Sequence, residues 1–331
     1  METNYCGFRC ENPFILASSP VSATGEMICR AFEEGWAGAV TKSISFLQDE
    51  LNLSLSPRML PISASGAKGV TGMGNIDFVM DKCVDAAFAD FAKVKERYPE
   101  KMLIISVKAQ YVEADWKTLA RKAQNAGADA LELCLSCIDS EAGVMICQEK
   151  ELMQQVIRWV KEEVQIPVIA KLSIHVNDIG KMALYAAEAG ADAVTGINSI
   201  HGIGPLNPER MVHIPDIIGQ SAPMGLSGAF IKPMAQHCIY KMALAARHQL
   251  CCIGDMHLFA IMVRHPLQNF FQSPGVGGLH RRQVLPLCNE QRQKAQQCPF
   301  DKQLIARLLG AVHILGLPQA GGGRSITWLV R

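Results

Sequence analysis

The segment Gly127-Ala-Asp-Ala-Leu-Glu-Leu-Cys-Leu-Ser-Cys137 decides the fold class of this 331-residue chain. A glycine that ends a helix is followed by a short turn and then by hydrophobic residues at successive positions. Such a run is typical of a strand that is covered on both faces, as parallel strands are. Side chains just past the carboxyl end of such a strand lie where α/β proteins place their active sites. Ser136 and Cys137 are therefore candidate site residues.

The same helix–glycine–strand pattern occurs three times. Leu119–Leu133 contains Asn-Ala-Gly-Ala-Asp, Met182–Ile197 contains Glu-Ala-Gly-Ala-Asp, and Ala31–Val40 is a looser copy. Repeated units of this kind imply parallel strands that are joined by helices.

The pattern predicts six strands and five helices in the first two thirds of the chain. The strands are expected at Phe14–Ala17, Gly38–Lys42, Met102–Val107, Ala130–Leu135, Pro167–Leu172 and Ala193–Asn198. The helices are expected at Gly25–Glu34, Met80–Tyr98, Asp115–Ala126, Glu149–Val164 and Asp178–Ala189. This spacing predicts an α/β fold of the (β/α)8 TIM-barrel type. An open doubly wound sheet is the alternative, but Ser18–Val21 follows the first strand in place of a Gly-x-Gly-x-x-Gly turn.

The character of the sequence changes from about Gln249. We assign residues 1–278 to the barrel, with Gly275–Gly278 as a candidate turn after the seventh strand. Residues 279–331 form an atypical tail, because Leu279–Phe300 is rich in Gln, Arg and Cys and follows no period of two or 3.6. A shifted reading frame or poor order would each explain such a tail.

Composition excludes several classes of function. The chain has 32 basic and 31 acidic residues, a net charge of +1, so it gives no support for binding to nucleic acid or to an anionic membrane surface. The N-terminus lacks the features of a signal peptide, and no apolar run is long enough to span a bilayer. We expect a cytoplasmic protein with reduced thiols.

Polar side chains at the predicted strand ends are the candidates for chemistry. Lys42 and Lys171 end two equivalent strands, where a lysine either extends to solvent or points into a polar site at the mouth of a barrel. Asn198 ends another strand, and Asn75 lies in a glycine-rich loop. Each asparagine offers both a donor and an acceptor, which suits the edge of a nucleobase.

Cys134 and Cys137 form a Cys-x-x-Cys with three interpretations. A redox dithiol normally opens a helix, whereas Cys134 is expected inside a strand. A zinc site needs further ligands, and none is evident at zinc spacing, so no metal is predicted. The third interpretation makes Cys137 the single functional cysteine, and its rival is a pair of buried structural thiols.

Many motifs, in order over about residues 5–240, resemble the dihydropyrimidine dehydrogenase family and, more distantly, the dihydroorotate dehydrogenases. The motifs are Asn12–Pro20, Glu26–Ile28, Ala31–Trp36, Thr41–Ser43, Ser56–Arg58, Gly127–Leu133, Ser136–Cys137, Ile157–Val160, Gln165–Pro167, Ala170–Leu172, Gly190–Asp192, Ser227–Ala229 and Lys232–Pro233. The resemblance implies an FMN-binding barrel that interconverts uracil or thymine with the 5,6-dihydro forms in pyrimidine catabolism.

The resemblance also assigns roles to residues. It places Ala17, Ser18, Lys42 and Lys171 at positions that bind FMN, and we expect Gly277 and Gly278, in the candidate turn after the seventh strand, to bind FMN as well. The positions that bind the pyrimidine are Asn75, Cys134, Ser136, Asn198 and Ser199. Cys137 matches the general acid that protonates C5, a role that suits a thiol on a loop. Electrons from NAD(H) are expected to arrive through a flavin and iron–sulfur partner subunit, and a homo-oligomer is expected.

The chain departs from the family pattern at three places within the matched region. Cys134 replaces an asparagine that contacts the pyrimidine, Ile138 replaces a proline, and Ser173–His175 replaces Thr-Pro-Asn. A thiol lacks the paired donor and acceptor of an amide. The alternatives to dihydropyrimidine dehydrogenase are a relative of dihydroorotate dehydrogenase and a degenerate, inactive barrel.

Overall fold

The structure is a computed structural model that describes residues 2–47, 58–63, 70–136, 143–246, 251–255 and 259–262, all within one compact unit. The strands in chain order are β1 Thr3–Tyr5, β2 Phe8–Cys10, β3 Phe14–Leu16, β4 Gly38–Val40, β5 Arg58–Ile62, β6 Gly72–Ile76, β7 Met102–Val107, β8 Ala130–Cys134, β9 Val168–Leu172, β10 Ala193–Gly196, β11 Ile200–Gly202, β12 Leu206–Asn207, β13 Val212–His213, β14 Asp216–Ile217, β15 Gln220–Ser221, β16 Met224–Ser227, β17 Cys251–Asp255 and β18 Phe259–Met262. The α-helices are α1 Gly25–Glu33, α2 Val84–Arg97, α3 Glu113–Asn125, α4 Lys150–Glu163, α5 Ile179–Glu188 and α6 Lys232–Ala246.

Eight strands close into a barrel, which confirms the predicted fold class. The order around the barrel is β3, β4, β7, β8, β9, β10, β17 and β18, and β18 returns to β3. The first seven strands of this order are parallel to one another. All six residues of β7 are buried, as expected for a strand that is covered on both faces. The six strands expected from sequence agree with the barrel strands β3, β4, β7, β8, β9 and β10 to within two residues at each end.

The barrel closes differently from a regular (β/α)8 fold. The last strand, β18, pairs antiparallel with both β17 and β3. Only residues 256–258 separate β17 from β18, which is far too short for the helical crossover that a parallel pair requires. The seventh strand lies at residues 251–255, well before the turn at Gly275–Gly278 that we expected to follow it. That turn, the boundary at residue 278 and the tail at 279–331 lie outside the described residues.

The repeated Gly-Ala-Asp motif has a structural role in two of the βα units. Gly127 and Gly190 adopt φ angles of 84° and 97°, so each ends its helix in the left-handed conformation that favours glycine. The aspartate two residues later then ties the helix of the preceding βα unit to the strand that follows that helix. Asp129 accepts from the Leu103 N–H at 2.8 Å and from Lys95 of α2 at 2.7 Å. Asp192 does the same with the Val168 N–H at 2.7 Å and Lys161 of α4 at 2.8 Å.

A second, antiparallel sheet of four strands has the order β11-β16-β6-β5, and we call it the covering sheet. Two of its strands, β5 and β6, come from the segment between β4 and α2, and the other two follow β10. Small hairpins β12–β13 and β14–β15 project from the connection between β11 and β16. In the described part of the chain, no helix has the length and apolar character needed to cross a bilayer.

We expect Asp129→Ala to lower the free energy of unfolding by about 2 kcal/mol, because it removes a charge-assisted bond and leaves the Leu103 N–H without its acceptor. Urea denaturation followed by far-UV circular dichroism measures this loss. Glu96→Ala, at an exposed position of the same α2 helix, is the control and is expected to stay within about 0.5 kcal/mol of the parent. Equal effects of the two substitutions would contradict the role given to Asp129.

Candidate active site

A cavity of about 360 Å³ lies between the carboxyl ends of the barrel strands and the covering sheet. One wall comes from residues at or after β4, β8 and β10, and the facing wall comes from β6, β11 and β16. The lining residues are Ser18, Ser19, Pro20, Lys42, Ser43, Asn75, Asp77, Phe78, Lys108, Gln110, Cys134, Ser136, Asn198, Ser199, His201, Pro223, Met224 and Gly225. This is the end of an α/β barrel at which active sites are found.

Lys42 lies two residues beyond β4 and is held by Asp77. Its Nζ donates to Asp77 Oδ2 at 2.6 Å and to the Asp77 carbonyl oxygen at 3.0 Å. The two side chains are only 9% and 8% exposed. Burial lowers the pKa of Lys42, and the Asp77 carboxylate opposes that shift. The aspartate therefore helps to keep a buried cation at the edge of the cavity.

Lys171 is part of a second buried pair, inside the barrel. Its Nζ lies 3.5 Å from Glu132 Oε1, and both side chains are 3% exposed. The Thr195 hydroxyl oxygen is buried without a hydrogen-bond partner among the described residues. Because Lys171 and Thr195 are paired across β9 and β10, their side chains point to the same face of the sheet. A buried ammonium group and an unsatisfied hydroxyl therefore lie side by side.

Three polar side chains meet at the ends of β8 and β10. Asn198 Nδ2 donates to Ser136 Oγ and, at 3.7 Å, to Cys134 Sγ. The Cys134 and Ser136 side chains are themselves 3.8 Å apart. Asn198 Oδ1 accepts from the Ser199 N–H at 2.9 Å, so both ends of the amide are oriented. This cluster offers a thiol, a hydroxyl and an amide to whatever occupies the cavity.

Asn75 lies on strand β6 of the covering sheet, not in the glycine-rich loop that the sequence suggested. Its Nδ2 donates to the Gly225 carbonyl oxygen at 3.2 Å. Two glycines that precede it on the strand serve close packing. A Cβ at Gly74 would lie 2.4 Å from Met224 Sδ, and one at Gly72 would lie 2.0 Å from the Phe230 ring. Glycine at these positions lets side chains pack directly on the strand.

The structure brings most of the sequence-predicted site residues to this cavity. The predicted residues that line it are Ser18, Lys42, Asn75, Cys134, Ser136, Asn198 and Ser199. Ala17 and Lys171 are buried and do not line it. Cys137, Gly277 and Gly278 lie outside the described residues. In the part of the chain that is described, no cluster of three or more His, Cys, Asp or Glu residues could hold a metal ion.

Sequence reasoning missed several residues of the site. Asp77 and Glu132 were missed because their importance depends on lysines that are distant in sequence. Lys108 and Gln110 line the cavity just after β7. Lys108 could have been found, because it follows a buried strand in the same way as Lys42 follows β4.

The fold and the cavity define a class of protein, namely α/β barrels with a polar site at the carboxyl ends of their strands. A family model described as dihydroorotate dehydrogenase matches residues 1–255. The chain therefore belongs to the dihydroorotate dehydrogenase family, a family of FMN-type oxidoreductases.

The curated relatives include both dihydropyrimidine dehydrogenases and dihydroorotate dehydrogenases. The NAD-dependent dihydropyrimidine dehydrogenase subunit PreA of Escherichia coli (strain K12) is 32% identical over 245 residues, which are 73% of this chain and 58% of that protein. The chain thus spans less than two thirds of that relative's length. The catalytic subunit of dihydroorotate dehydrogenase B (NAD(+)) from Pyrococcus abyssi is 33% identical over 257 residues, which cover 77% of this chain and 80% of that one.

A solved structure shows the same fold. Ligand-free DHODH from Eimeria tenella superposes with a TM-score of 0.57, at 16% sequence identity, over 76% of this chain and 74% of that chain. At this identity the likeness establishes the architecture alone.

We expect Asp77→Ala to destabilise the protein by about 3 kcal/mol, because it leaves the buried Lys42 ammonium group without its carboxylate. The double variant Lys42→Met/Asp77→Leu is expected to recover most of this loss, since no buried charge remains. Urea unfolding of the parent, Lys42→Met, Asp77→Leu and the double variant gives the coupling free energy.

Glu26→Ala in the exposed Arg30–Glu26 pair is the control, with an expected loss below about 1 kcal/mol. A double variant as unstable as Asp77→Ala would show that Asp77 matters for a reason other than the charge of Lys42.

Proposed function

We propose that this chain is the catalytic barrel of a cytoplasmic, FMN-dependent oxidoreductase that interconverts uracil or thymine with the 5,6-dihydro forms. The observation that carries the proposal is the arrangement of the cavity. Two buried lysines, Lys42 and Lys171, end barrel strands beside a cavity to which Asn75 and Asn198 bring amide groups from facing walls. Cations suit an electron-rich flavin ring, and amides suit a pyrimidine edge.

Residues inside the barrel and on the cavity wall fit FMN. Thr195 offers a buried hydroxyl that has no hydrogen-bond partner in the described residues, and Lys171, which is paired with Glu132, lies beside it, so a bound group would satisfy that desolvated hydroxyl next to a cation. Lys42 and Ser18 would contribute from the cavity wall. When bound, FMN would supply hydride transfer to the 5,6 double bond. Gly277 and Gly278, which lie outside the described residues, are kept as proposed contacts of FMN.

The chain's own residues would bind the pyrimidine and supply the proton. Asn75, Asn198 and Ser199 would hold the edge of the base through hydrogen bonds, and Ser136 would add a hydroxyl. Cys137 follows Ser136 directly and is proposed as the general acid that donates its thiol proton to C5. The covering sheet would exclude water from the reacting atoms.

A partner subunit is proposed as the source of electrons. Two of the relatives are named as a subunit and as a catalytic subunit of NAD-dependent enzymes. We propose that NAD(H) reacts on a flavin and iron–sulfur partner, from which electrons reach the barrel. A homo-oligomer of the barrel is also proposed, in keeping with such assemblies.

Dihydroorotate oxidation is the second candidate function. Lys108 lines the cavity together with Lys42, so the described lining residues have two ammonium groups and the single carboxylate of Asp77. An orotate carboxylate would suit such a cavity, whereas uracil has no anionic substituent. Turnover of dihydrouracil, dihydrothymine and dihydroorotate, measured side by side with an artificial electron acceptor, separates the two candidates.

The first test of the proposal is FMN binding. We expect purified protein to acquire a visible flavin absorbance after reconstitution with FMN and to show a higher melting temperature in its presence. Thr195→Val is expected to stabilise the protein without FMN by about 1 kcal/mol, because it removes a buried hydroxyl that lacks a partner. It should also weaken FMN binding by about fivefold, since that hydroxyl would bond the cofactor.

Isothermal titration with FMN and urea unfolding measure these two opposite effects of Thr195→Val. The control is Thr24→Val on α1, whose hydroxyl caps the Met27 N–H and which should lose stability with FMN affinity unchanged. Purified protein that does not bind FMN would contradict the proposed function.

Cys134 offers a sharper test of the substrate. We expect Cys134→Asn to lower the KM for the pyrimidine by roughly five- to 100-fold, because it restores an amide beside Asn198 at the base-binding wall. Steady-state kinetics with each dihydropyrimidine measures the change, and Cys83→Asn, at an exposed thiol that begins α2, is the matched control. A KM that Cys134→Asn leaves unchanged would remove Cys134 from the proposed substrate contacts.

A further inference from the structure

Two histidines join the barrel to the covering sheet at the cavity. His175 lies in the segment after β9, and His201 is the central residue of β11. Their rings stack with centroids 4.4 Å apart and an interplanar angle of 27°. The backbone N–H of His201 donates to His175 Nε2 at 2.8 Å. His201 is also one of the residues that line the cavity.

This hydrogen bond holds the edge of the covering sheet. β11 is the terminal strand of that sheet, with β16 on one side only. The imidazole of His175 therefore accepts the hydrogen bond of the His201 N–H, as the carbonyl oxygen of a neighbouring strand would. Without that acceptor, the β11 edge beside the cavity would lose one of its links to the barrel.

His175 is itself held by its neighbours. Its carbonyl oxygen accepts from Gln148 Nε2 at 2.8 Å, and its N–H donates to Ser173 Oγ at 3.1 Å. Gln148 in turn accepts from the Met145 N–H at 2.9 Å through Oε1. A continuous chain of bonds thus runs from the segment before α4, through His175, to the covering sheet.

We propose that His175 is a positioning residue that holds His201 and the β11 edge over the cavity, and that it does so only while its imidazole is neutral. The effect on substrate binding rests on the proposed function. The role of His175 in holding the β11 edge rests only on the ring stack and the 2.8 Å hydrogen bond.

The requirement for a neutral ring follows from the chemistry of the bond. His175 Nε2 accepts a hydrogen bond, so it carries no proton, and the proton of the neutral ring is on Nδ1. Protonation would convert Nε2 into a donor that faces the donor N–H of His201. Burial lowers the pKa of His175, and the neighbouring His201 lowers it further through charge. Burial likewise lowers the pKa of His201.

None of the described residues in known contact with His175 carries a negative charge that would stabilise an imidazolium. His201 faces it from the covering sheet, Gln148 from the segment before α4, and Ser173 from its own segment. Of the nearest charged residues along the chain, Lys171 is paired with Glu132, and Asp178 is paired with Lys241. In each pair the two opposite charges contact one another.

The sign of the pH effect follows. The folded-state pKa of His175 lies below the ordinary histidine value of 6.5, so the bond is fully formed above that value. As the pH falls below 6.5, the unfolded chain takes up the proton first and the folded state loses stability. When the pH falls through the lowered pKa, the imidazole ionises and the His201 bond is lost. Substrate binding is then expected to weaken.

The direct test is NMR of the full-length protein labelled with ¹⁵N-histidine. The His201 amide resonance is expected to move in acid, with the same midpoint as the His175 ring. In His175→Gln, whose side-chain oxygen can accept the same bond without titrating, the amide is expected to lose the change that follows the His175 ring and to move only with the His201 ring. This measurement needs no enzyme activity, so it stands even if the proposed reaction fails.

The kinetic test uses the same variants with the dihydropyrimidine that is turned over. His175→Ala is expected to raise KM roughly fivefold above pH 6.5, which is the loss of one hydrogen bond, with kcat changed less, and to approach the parent's KM in acid, where the parent loses the same bond. His175→Gln is expected to retain a low KM in acid, where the parent's KM rises. The control is His237→Gln, at an exposed histidine of α6, which should follow the parent throughout.

Two results would overturn the proposal. One is a His201 amide that does not respond to the ionisation of His175. The other is an acid-side rise of KM that has the same midpoint in the parent and in His175→Gln. If no pyrimidine is turned over but the amide titrates as expected, the proposed function fails and the role of His175 in the structure stands.

Discussion

The cost of burying charge at the carboxyl ends of parallel strands is the constraint on which this structure depends. Lys42 and Lys171 both lie where the barrel meets its cavity, and neither is open to solvent. A buried ammonium group persists only when a carboxylate and further hydrogen bonds compensate for its lost hydration. Asp77 and Glu132 supply the carboxylates. The site is therefore built from charge pairs that leave little freedom in their placement.

The covering sheet completes the site because it brings groups that the barrel lacks. Its strand β6 carries Asn75 to the side of the cavity opposite Asn198. The closeness of β6 and β16 depends on Gly74, where any side chain would meet Met224. Its edge at β11 is held by His175 of the barrel. The cavity thus lies between the strand ends of the barrel and a sheet that His175 bonds to the barrel.

The barrel itself followed from the sequence because its signals are local. Buried strands such as Met102–Val107 read as continuous apolar runs, and the glycines of the Gly-Ala-Asp repeats mark the helix ends. Most of the site followed as well, since strand ends of parallel units meet at one edge of a barrel. Asn75 was placed wrongly in a loop because glycines around it signal a turn as readily as close packing. The way the barrel closes at β18 was not predicted, because the sequence around the three-residue link between β17 and β18 shows no period of two or 3.6.

The sequence by itself therefore determined the fold class and which strand ends carry polar groups. Tertiary structure alone decided how the barrel closes, which carboxylate accompanies each lysine, and which wall each amide occupies. The reason is separation along the chain: Lys42 and Asp77 are 35 residues apart, and Asn75 meets Gly225 across 150. Hydrophobic periodicity reports which face of an element is buried, but it does not report which distant element covers that face.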